Sequence, residues 1–332
     1  MSDLGPTSPP DPLTRHPHPR TGQGGAALGH HHAGRGQDAA HIDWEVLGPH
    51  LERGAEVHIP LYEQAAGWLR QLLAADGGSG PGAVRRVLDV GSGPGVVTCL
   101  LAQAFPEAEV VAVDPAEALL ERARDRAARL GLGDRVRAHV AEVPDGLDAL
   151  GGADVIWSSR VLHHVGDQRG AVAALAGHLR PGGLLAVTEG GLAPRFLPRD
   201  IGIGRPGLQS RLDAAGEEWF TRMRTALPGA TDAVEDWPAF LADAGLRSPR
   251  TRSFLLDLPA PLSTAARDFV VGTLAYVIEA YGDQLDEDDL TTLGRLTDPH
   301  DTAGFAHRPD AFLLSVQTVH TARSAVGRGG SR

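Results

Sequence analysis

Several features are scarce in this chain of 332 residues, and each scarcity excludes a class of protein. Cysteine is nearly absent: Cys99 stands alone, so no disulfide framework can form within the chain. Its place in an apolar helical pattern reads as a buried small side chain rather than a nucleophile. Basic residues fall short of acidic ones, 31 against 42, and the formal net charge of −11 argues against a protein that tracks a phosphate backbone. No nucleic-acid partner is expected. Long apolar runs are also missing: none approaches a membrane span and the N-terminus has no apolar signal core, so no membrane partner and a cytoplasmic location are expected. The 42% of hydrophobic residues still suffices for a buried core.

The residues present divide the chain unevenly. Over 1–40 it is rich in Pro, Gly and His with almost no large apolar residues, a composition that cannot offset its ordering entropy, so a disordered tail is expected. His30, His31 and His32 lack the fixed geometry a metal site needs, and no metal is expected. Over 41–82 a helical cap and linker follow: Trp44, Val46, Leu47 and Leu51 keep one helical period, and Leu61, Tyr62, Ala65, Leu69, Leu72 and Leu73 a second after Pro60, which suits a first helical turn. The Gly-rich and Pro-containing stretch over 77–82 reads as a linker.

The core is expected over 83–190 and is organised around Arg86-Val87-Leu88-Asp89-Val90-Gly91-Ser92-Gly93-Pro94-Gly95. An apolar strand breaks there into a glycine turn, and Val96, Val97, Leu100, Leu101 and Ala104 share a face of the helix that follows. Glycines let the backbone turn through positive φ and let a ligand approach the main chain, while the free N–H groups of the helix start point at it. Taken alone, such a turn fits a ligand-free connection, a dinucleotide site or another nucleotide-bearing cofactor. Further strands are expected over 109–113, ending in Asp114, over 136–140, over 153–158 and over 184–188. Helices alternate with them: one over 117–130 closing at Gly131, and one capped by Asp167 that carries Val172, Leu175 and Leu179 and stops at Pro181-Gly182-Gly183. This alternation implies an α/β fold with a doubly wound parallel sheet covered on both faces.

In such a sheet ligands bind outside the carboxyl ends of the strands. The glycine turn, Asp114, Glu142, the stretch over 158–164 and Glu189 all sit at strand ends and converge on one crevice. Asp114 can accept hydrogen bonds from vicinal ribose hydroxyls or cap the next helix. Glu142 can meet an adenine amino group or stand as a solvated loop acid. His163 and His164 can supply a general base or hold their loop, and Glu189 can act as base, orient the acceptor or serve the loop.

The motif Asp89-Val90-Gly91-Ser92-Gly93-Pro94-Gly95, with Asp114, Val161-Leu162-His163-His164-Val165 and Leu179-Arg180-Pro181-Gly182-Gly183, resembles the class I S-adenosylmethionine-dependent methyltransferases of small-molecule type. The resemblance covers about 84–189. It implies a Rossmann-like seven-stranded sheet, five parallel strands plus an antiparallel pair, and S-adenosyl-L-methionine as cofactor. It further implies that Asp89 and the turn Gly91, Ser92, Gly93 and Gly95 hold the methionine end, Asp114 with Pro115 the ribose, Glu142 with the Val143 backbone the adenine, and that Ser159 lies near the sulfonium. The family often has Asp where Glu142 stands. Val96 fills the place of the third glycine of a dinucleotide fingerprint, which disfavours an NAD(P)-dependent oxidoreductase. Methylases of adenine or glutamine amides resemble one another in an Asn/Asp-Pro-Pro-Tyr turn, and Ser158-Ser159-Arg160-Val161 stands there instead. The expected function is therefore direct SN2 methylation of an O, N or C atom of a small metabolite; a non-catalytic cofactor-binding module is the alternative.

Over 191–324 the expectations are a lid carrying Trp219, Phe220 and Met223, a helix from Trp237 to Gly245, strands over 253–258 and 311–320, and an inserted helical pair between those strands. The insertion would cap the pocket or form a homodimer contact. Trp219, Tyr276 and Tyr62 are candidate pocket walls. Arg195, Arg205 and Arg211 suit an acidic acceptor or a solvated face, and Asp286-Glu287-Asp288-Asp289 reads as a helix N-terminus favoured by the macrodipole. The Gly- and Arg-rich residues over 325–332 read as a disordered tail.

Overall fold

The computed structural model describes residues 44–75 and 80–326. The tail expected over 1–40, with His30, His31 and His32, part of the linker over 77–82 and nearly all of the tail over 325–332 lie outside the described residues.

Seven strands form one sheet: β1 (Arg86–Val90), β2 (Glu109–Asp114), β3 (Val136–Val140), β4 (Ala153–Ser159), β5 (Leu179–Arg195), β6 (Arg247–Leu258) and β7 (Leu313–Arg323). Their order is β3-β2-β1-β4-β5-β7-β6. The first five run parallel, and β7 is antiparallel to both of its neighbours, β5 and β6. The order reverses beside β1, so β1 and β4 flank the switch point where a ligand crevice opens.

Helices cover both faces because the strands are apolar on both. Val87, Val110, Val155, Trp157, Leu184 and Ala186 face one layer, built from α2 (Ile59–Ala74), α3 (Val96–Ala104), α6 (Leu208–Ala226) and α8 (Thr264–Tyr281). Leu88, Val111, Ile156, Leu185 and Val187 face the other, with α5 (Gln168–Gly177) and α7 (Trp237–Asp243). Trp157 and Phe105 are among the largest side chains with almost no exposure; burying Phe105 contributes roughly 1.5–3 kcal/mol. Cys99 is buried in α3, where burial pushes its thiol up to about 11. No helix among the described residues is long and apolar enough to cross a membrane.

The N-terminal cap is two helices, α1 (Trp44–Val57) and α2, with Pro60 in the first turn of α2. Glu52 of α1 accepts from Arg122 (3.0 Å) and Arg126 (2.9 Å) of α4 (Glu117–Arg129), which fastens the cap to the core. Asp167 caps α5 by accepting from the Gly170 N–H.

Several boundaries differ from expectation for one reason, pairing with strands distant in sequence. β5 starts at Leu179 and runs to Arg195, because β4 and β7 extend its ladder in both directions; Pro181-Gly182-Gly183 lies on the strand, and α5 ends earlier, at Gly177. β6 begins at Arg247 because β7 continues to Arg323. Around β7 the expected stripe of Phe312, which precedes the strand, Leu314 and Val316 is only half-buried, whereas Leu313, Ser315, Gln317 and Val319 face the interior. The acid run does start a helix: Asp286 caps α9 (Glu287–Thr297), its side chain accepting from the Asp289 N–H at 3.0 Å.

Candidate functional site

The crevice is built first by backbone. After β1 the chain turns through Gly91 (φ 73°), Gly93 (φ 54°) and Gly95 (φ 76°), a region that favours glycine. The Gly91 N–H donates to the Val113 carbonyl of β2 (2.8 Å), and a Cβ there would lie 2.0 Å from Val161 Cγ2. A Cβ on Gly95 would lie 2.4 Å from that of Ala123. Gly91 and Gly95 are thus packing glycines, and Gly93 alone of the three faces open space.

Two buried carboxylates line this turn. Asp89, 2% exposed, accepts from the Thr98 hydroxyl at 2.6 Å; burial pushes its carboxyl up to about 7, the Thr98 bond opposing and the Asp114 charge adding to the rise. Asp114, 7% exposed, accepts from the Gly93 N–H and the Ala116 N–H, each at 2.9 Å, and burial lifts it to about 6 against those two bonds. Carboxylates held this far above their ordinary range are suited to a ligand that brings donors or positive charge.

On the other side of β1 the chain leaves β4 at Ser159, turns through Arg160 and enters the loop of His163 and His164. Glu189 organises this loop. Its Oε1 accepts from the Val161 and Leu162 N–H groups (2.9 and 2.8 Å), and its Oε2 lies 2.7 Å from His163 Nδ1. Burial alone would raise the Glu189 carboxyl; the His163 interaction and the two backbone donors outweigh it and hold the group below its usual value. The rings of His163 and His164 lie 4.0 Å apart, and Phe220 of α6 lies 5.7 Å from His163. Arg224 of α6 donates to the His163 and Val165 carbonyls (2.8 and 2.7 Å).

The residues singled out in the sequence are thus partly brought together. Gly93 meets Asp114, and His163 meets Glu189. Glu142 follows β3 and is exposed, and the Val143 side chain packs in the core against the α5 layer. Trp219 and Tyr276 meet edge to face at 6.0 Å, while Tyr62 stands apart from them, against His58 and Gln317. Arg205 and Arg211 are engaged with Asp289, and Arg205 also with Asp286. Sequence reading missed Thr98 as the partner of Asp89, Arg224 as the tie between lid and loop, and Arg160. A hydroxyl one turn into the helix after a glycine turn is a signal for the first; the other two depend on tertiary placement.

The cofactor expected from the resemblance is compatible with this donor set. Ser92 Oγ is buried without a protein partner, Gly93 leaves room for a ligand against the main chain, and the two raised carboxyls are at hand.

Comparison with known proteins agrees with the part of the chain where this site lies. Residues 88–185 match a family model described as a methyltransferase domain. An uncharacterized protein of Synechococcus is 39% identical over 102 residues, 31% of this chain and 24% of that protein. The trans-aconitate 2-methyltransferase of Methylobacterium radiotolerans is 38% identical over 117 residues, 35% of this chain and 36% of that enzyme. The matches therefore span about a quarter and about a third of those relatives' own lengths. Among solved structures, mitomycin 7-O-methyltransferase aligns at 18% identity and a TM-score of 0.45, covering 86% of this chain and 59% of that one.

Proposed function

We propose that this chain, whose residues 88–185 match a methyltransferase domain, is a class I S-adenosylmethionine-dependent methyltransferase that methylates an oxygen, nitrogen or carbon atom of a small-molecule acceptor. The observation that carries the reading is the turn after β1, where Gly93 faces open space and donates its N–H to Asp114, one of two buried carboxyls at this turn that burial raises well above their ordinary range. A small acceptor is in keeping with the relative named for trans-aconitate and with the acidic charge of the chain.

S-adenosylmethionine, when bound, supplies a methyl group on a sulfonium that is already a good leaving group. Asp89 and the turn Gly91, Ser92, Gly93 and Gly95 would hold its methionine end, Asp114 with Pro115 its ribose, and Glu142 with the Val143 backbone its adenine, with Ser159 near the sulfonium. The work left to the protein is alignment and exclusion of water. α2 and α6 reach this end of the sheet, α2 through the Tyr62–Gln317 contact and α6 through the Arg224 bond to the His163 carbonyl. Where the acceptor is protonated, His163 takes the proton: Glu189 holds its Nδ1 side, which fixes the ring's orientation, and a buried acidic partner stabilises the imidazolium that forms. With three donors already on its carboxylate, Glu189 is the orienting group of this pair rather than the base.

The test is a transfer screen with methyl-radiolabelled S-adenosylmethionine against fractionated metabolites, preceded by calorimetry with S-adenosylmethionine and S-adenosylhomocysteine. Saturable binding with label transfer to a small molecule is the expected result. Binding without transfer to any fraction would return the chain to a non-catalytic module, and absence of binding would overturn the reading altogether.

A further inference from the structure

The face of the sheet beneath α2 and α8 changes character at the strand ends. Side chains alternate across a strand, so Val155, Trp157 and Ser159 of β4 point to one side, as do Leu184, Ala186 and Thr188 of β5. The inner members of both sets are core. The last are polar: Ser159 and Thr188 are register neighbours, and Ser159 Oγ and Thr188 Oγ1 are buried without a protein partner. From β7, Gln317 joins them, 6% exposed, its Oε1 equally unpartnered and its Nε2 within 3.5 Å of the Tyr62 hydroxyl on α2. Unpaired buried polar groups cost stability, so a fold that gathers several at one place suits a ligand that pairs with them.

Arg160 adjoins this row. It follows Ser159 directly, has φ 58° in the left-handed region that non-glycine residues rarely adopt, and is held there by its N–H bond to the Thr188 carbonyl at 2.9 Å. Other arginines around the cap and lid, among them Arg122, Arg126, Arg205 and Arg211, are paired with carboxylates. Arg160 has no carboxylate partner among the described residues, in a chain of net charge −11. The neighbouring His58 does not compete as a cation: burial pushes it down to about 4, and the Arg160 charge adds to that effect against the bond to the Gly54 carbonyl.

We infer that the methyl acceptor carries a carboxylate, bound by the Arg160 guanidinium beside a polar floor of Ser159, Thr188 and Gln317; this rests on the methyltransferase reading above. The planar guanidinium fork matches two carboxylate oxygens, a fit that no lone ammonium reproduces, and the floor supplies hydroxyl and amide partners for further oxygens of the same molecule. Arg160, Thr188 and Gln317 have no part in the cofactor contacts assigned above, so acceptor recognition and cofactor recognition are separable by mutation at these three positions.

The experiment is calorimetry on the chain saturated with S-adenosylhomocysteine, using succinate, citrate and benzoate as probes beside the uncharged succinamide and benzamide. At least one acid is expected to bind roughly tenfold or more tightly than its amide. Arg160→Asn, chosen because Asn tolerates left-handed backbone, is expected to abolish that preference while S-adenosylhomocysteine binds as before. Thr188→Val is expected to weaken the acid with the preference over the amide retained. Equal binding of acid and amide, no acid binding to the S-adenosylhomocysteine complex, or a preference that survives Arg160→Asn overturns the inference. Failure of S-adenosylhomocysteine itself to bind overturns the underlying methyltransferase reading, and this inference with it.

Discussion

Glu189 Oε2 and His163 Nδ1 lie 2.7 Å apart, across 26 residues of sequence, with the carboxylate 5% exposed. The pair joins β5, at the point where its pairing with β4 ends, to the loop after β4, and the other oxygen of the same carboxylate anchors the start of that loop through two N–H groups. Loop position and ring orientation therefore depend on one ionised group.

Its titration has a defined sign. Glu189 is held below its ordinary value of 4.5, so it contributes stability above that value and the contribution is lost as pH falls through the lowered folded value. Glu189→Gln is expected to cost about 1–3 kcal/mol at pH 7 and to flatten the acid limb of the stability curve, since one charged acceptor of three hydrogen bonds is replaced by a neutral amide. Urea unfolding between pH 3 and 7 measures both. An acid limb unchanged in the variant would remove Glu189 as the group responsible.

Asp89 and Asp114 carry the opposite sign. Burial lifts them to about 7 and about 6, so the folded state prefers them protonated. That contribution is full below the unfolded value near 3.8 and is lost as pH rises through the raised folded values. Asp89→Asn, which keeps an oxygen for the Thr98 hydroxyl, is expected to stabilise the ligand-free protein by about 2–4 kcal/mol at pH 8 and to leave it little changed at pH 4. Asp114→Ala is expected to weaken S-adenosylmethionine by about 1–3 kcal/mol, the cost of unpaired ribose hydroxyls. Denaturant midpoints at the two pH values test the first, and calorimetry tests the second; an unchanged affinity in folded Asp114→Ala would refute the ribose assignment.

How far the sequence foretold this site depended on how local each feature is. The β1 strand, the glycine turn and α3 follow one another within a short span, and their apolar period and glycines are visible to inspection. Asp114 is legible because it ends an apolar run. The full length of β5 was not, since its extension depends on a β7 strand more than a hundred residues away. Gln317 was overlooked for a related reason: the apolar stripe on β7 drew attention to Leu314 and Val316, yet the sheet buries the alternate residues. Glu189 and His163 were each legible as strand-end polar groups, but their contact is a property of the β4–β5 register.

Two glycines of the turn, Gly91 and Gly93, are expected to respond differently to the same methyl group. At Gly91 a Cβ meets Val161 Cγ2 at 2.0 Å, so Gly91→Ala combines overpacking with left-handed strain and is expected to destabilise by about 2–4 kcal/mol. At Gly93 the space is open, so Gly93→Ala is expected to cost only the strain, about 1–2 kcal/mol. Its larger effect falls on binding, because the added methyl stands where a ligand would approach the backbone. Thermal unfolding alongside S-adenosylhomocysteine calorimetry separates the two variants; equal stability losses would contradict the packing role of Gly91.

Arg224 links the lid to the loop of His163, and its removal should act on turnover more than on cofactor affinity. The guanidinium Nη1 donates to both the His163 and Val165 carbonyls, and the side chain is 14% exposed, so the bonds are shielded from solvent. Arg224→Ala leaves two carbonyls without their charged donor, which costs about 1–3 kcal/mol of local stability. The loss falls on the 3-10 turn Leu162–His164 and on α6, while the Gly93 and Asp114 contacts stand on β1 and β2 and are untouched. Amide exchange in the variant is expected to quicken in that turn and in the second half of α6. S-adenosylhomocysteine affinity should hold within about twofold, while the rate of methyl transfer falls by roughly tenfold or more as the His163 ring loses its fixed position. If exchange in the turn is unchanged in Arg224→Ala, the lid does not hold the loop, and the positioning of His163 rests on Glu189 alone.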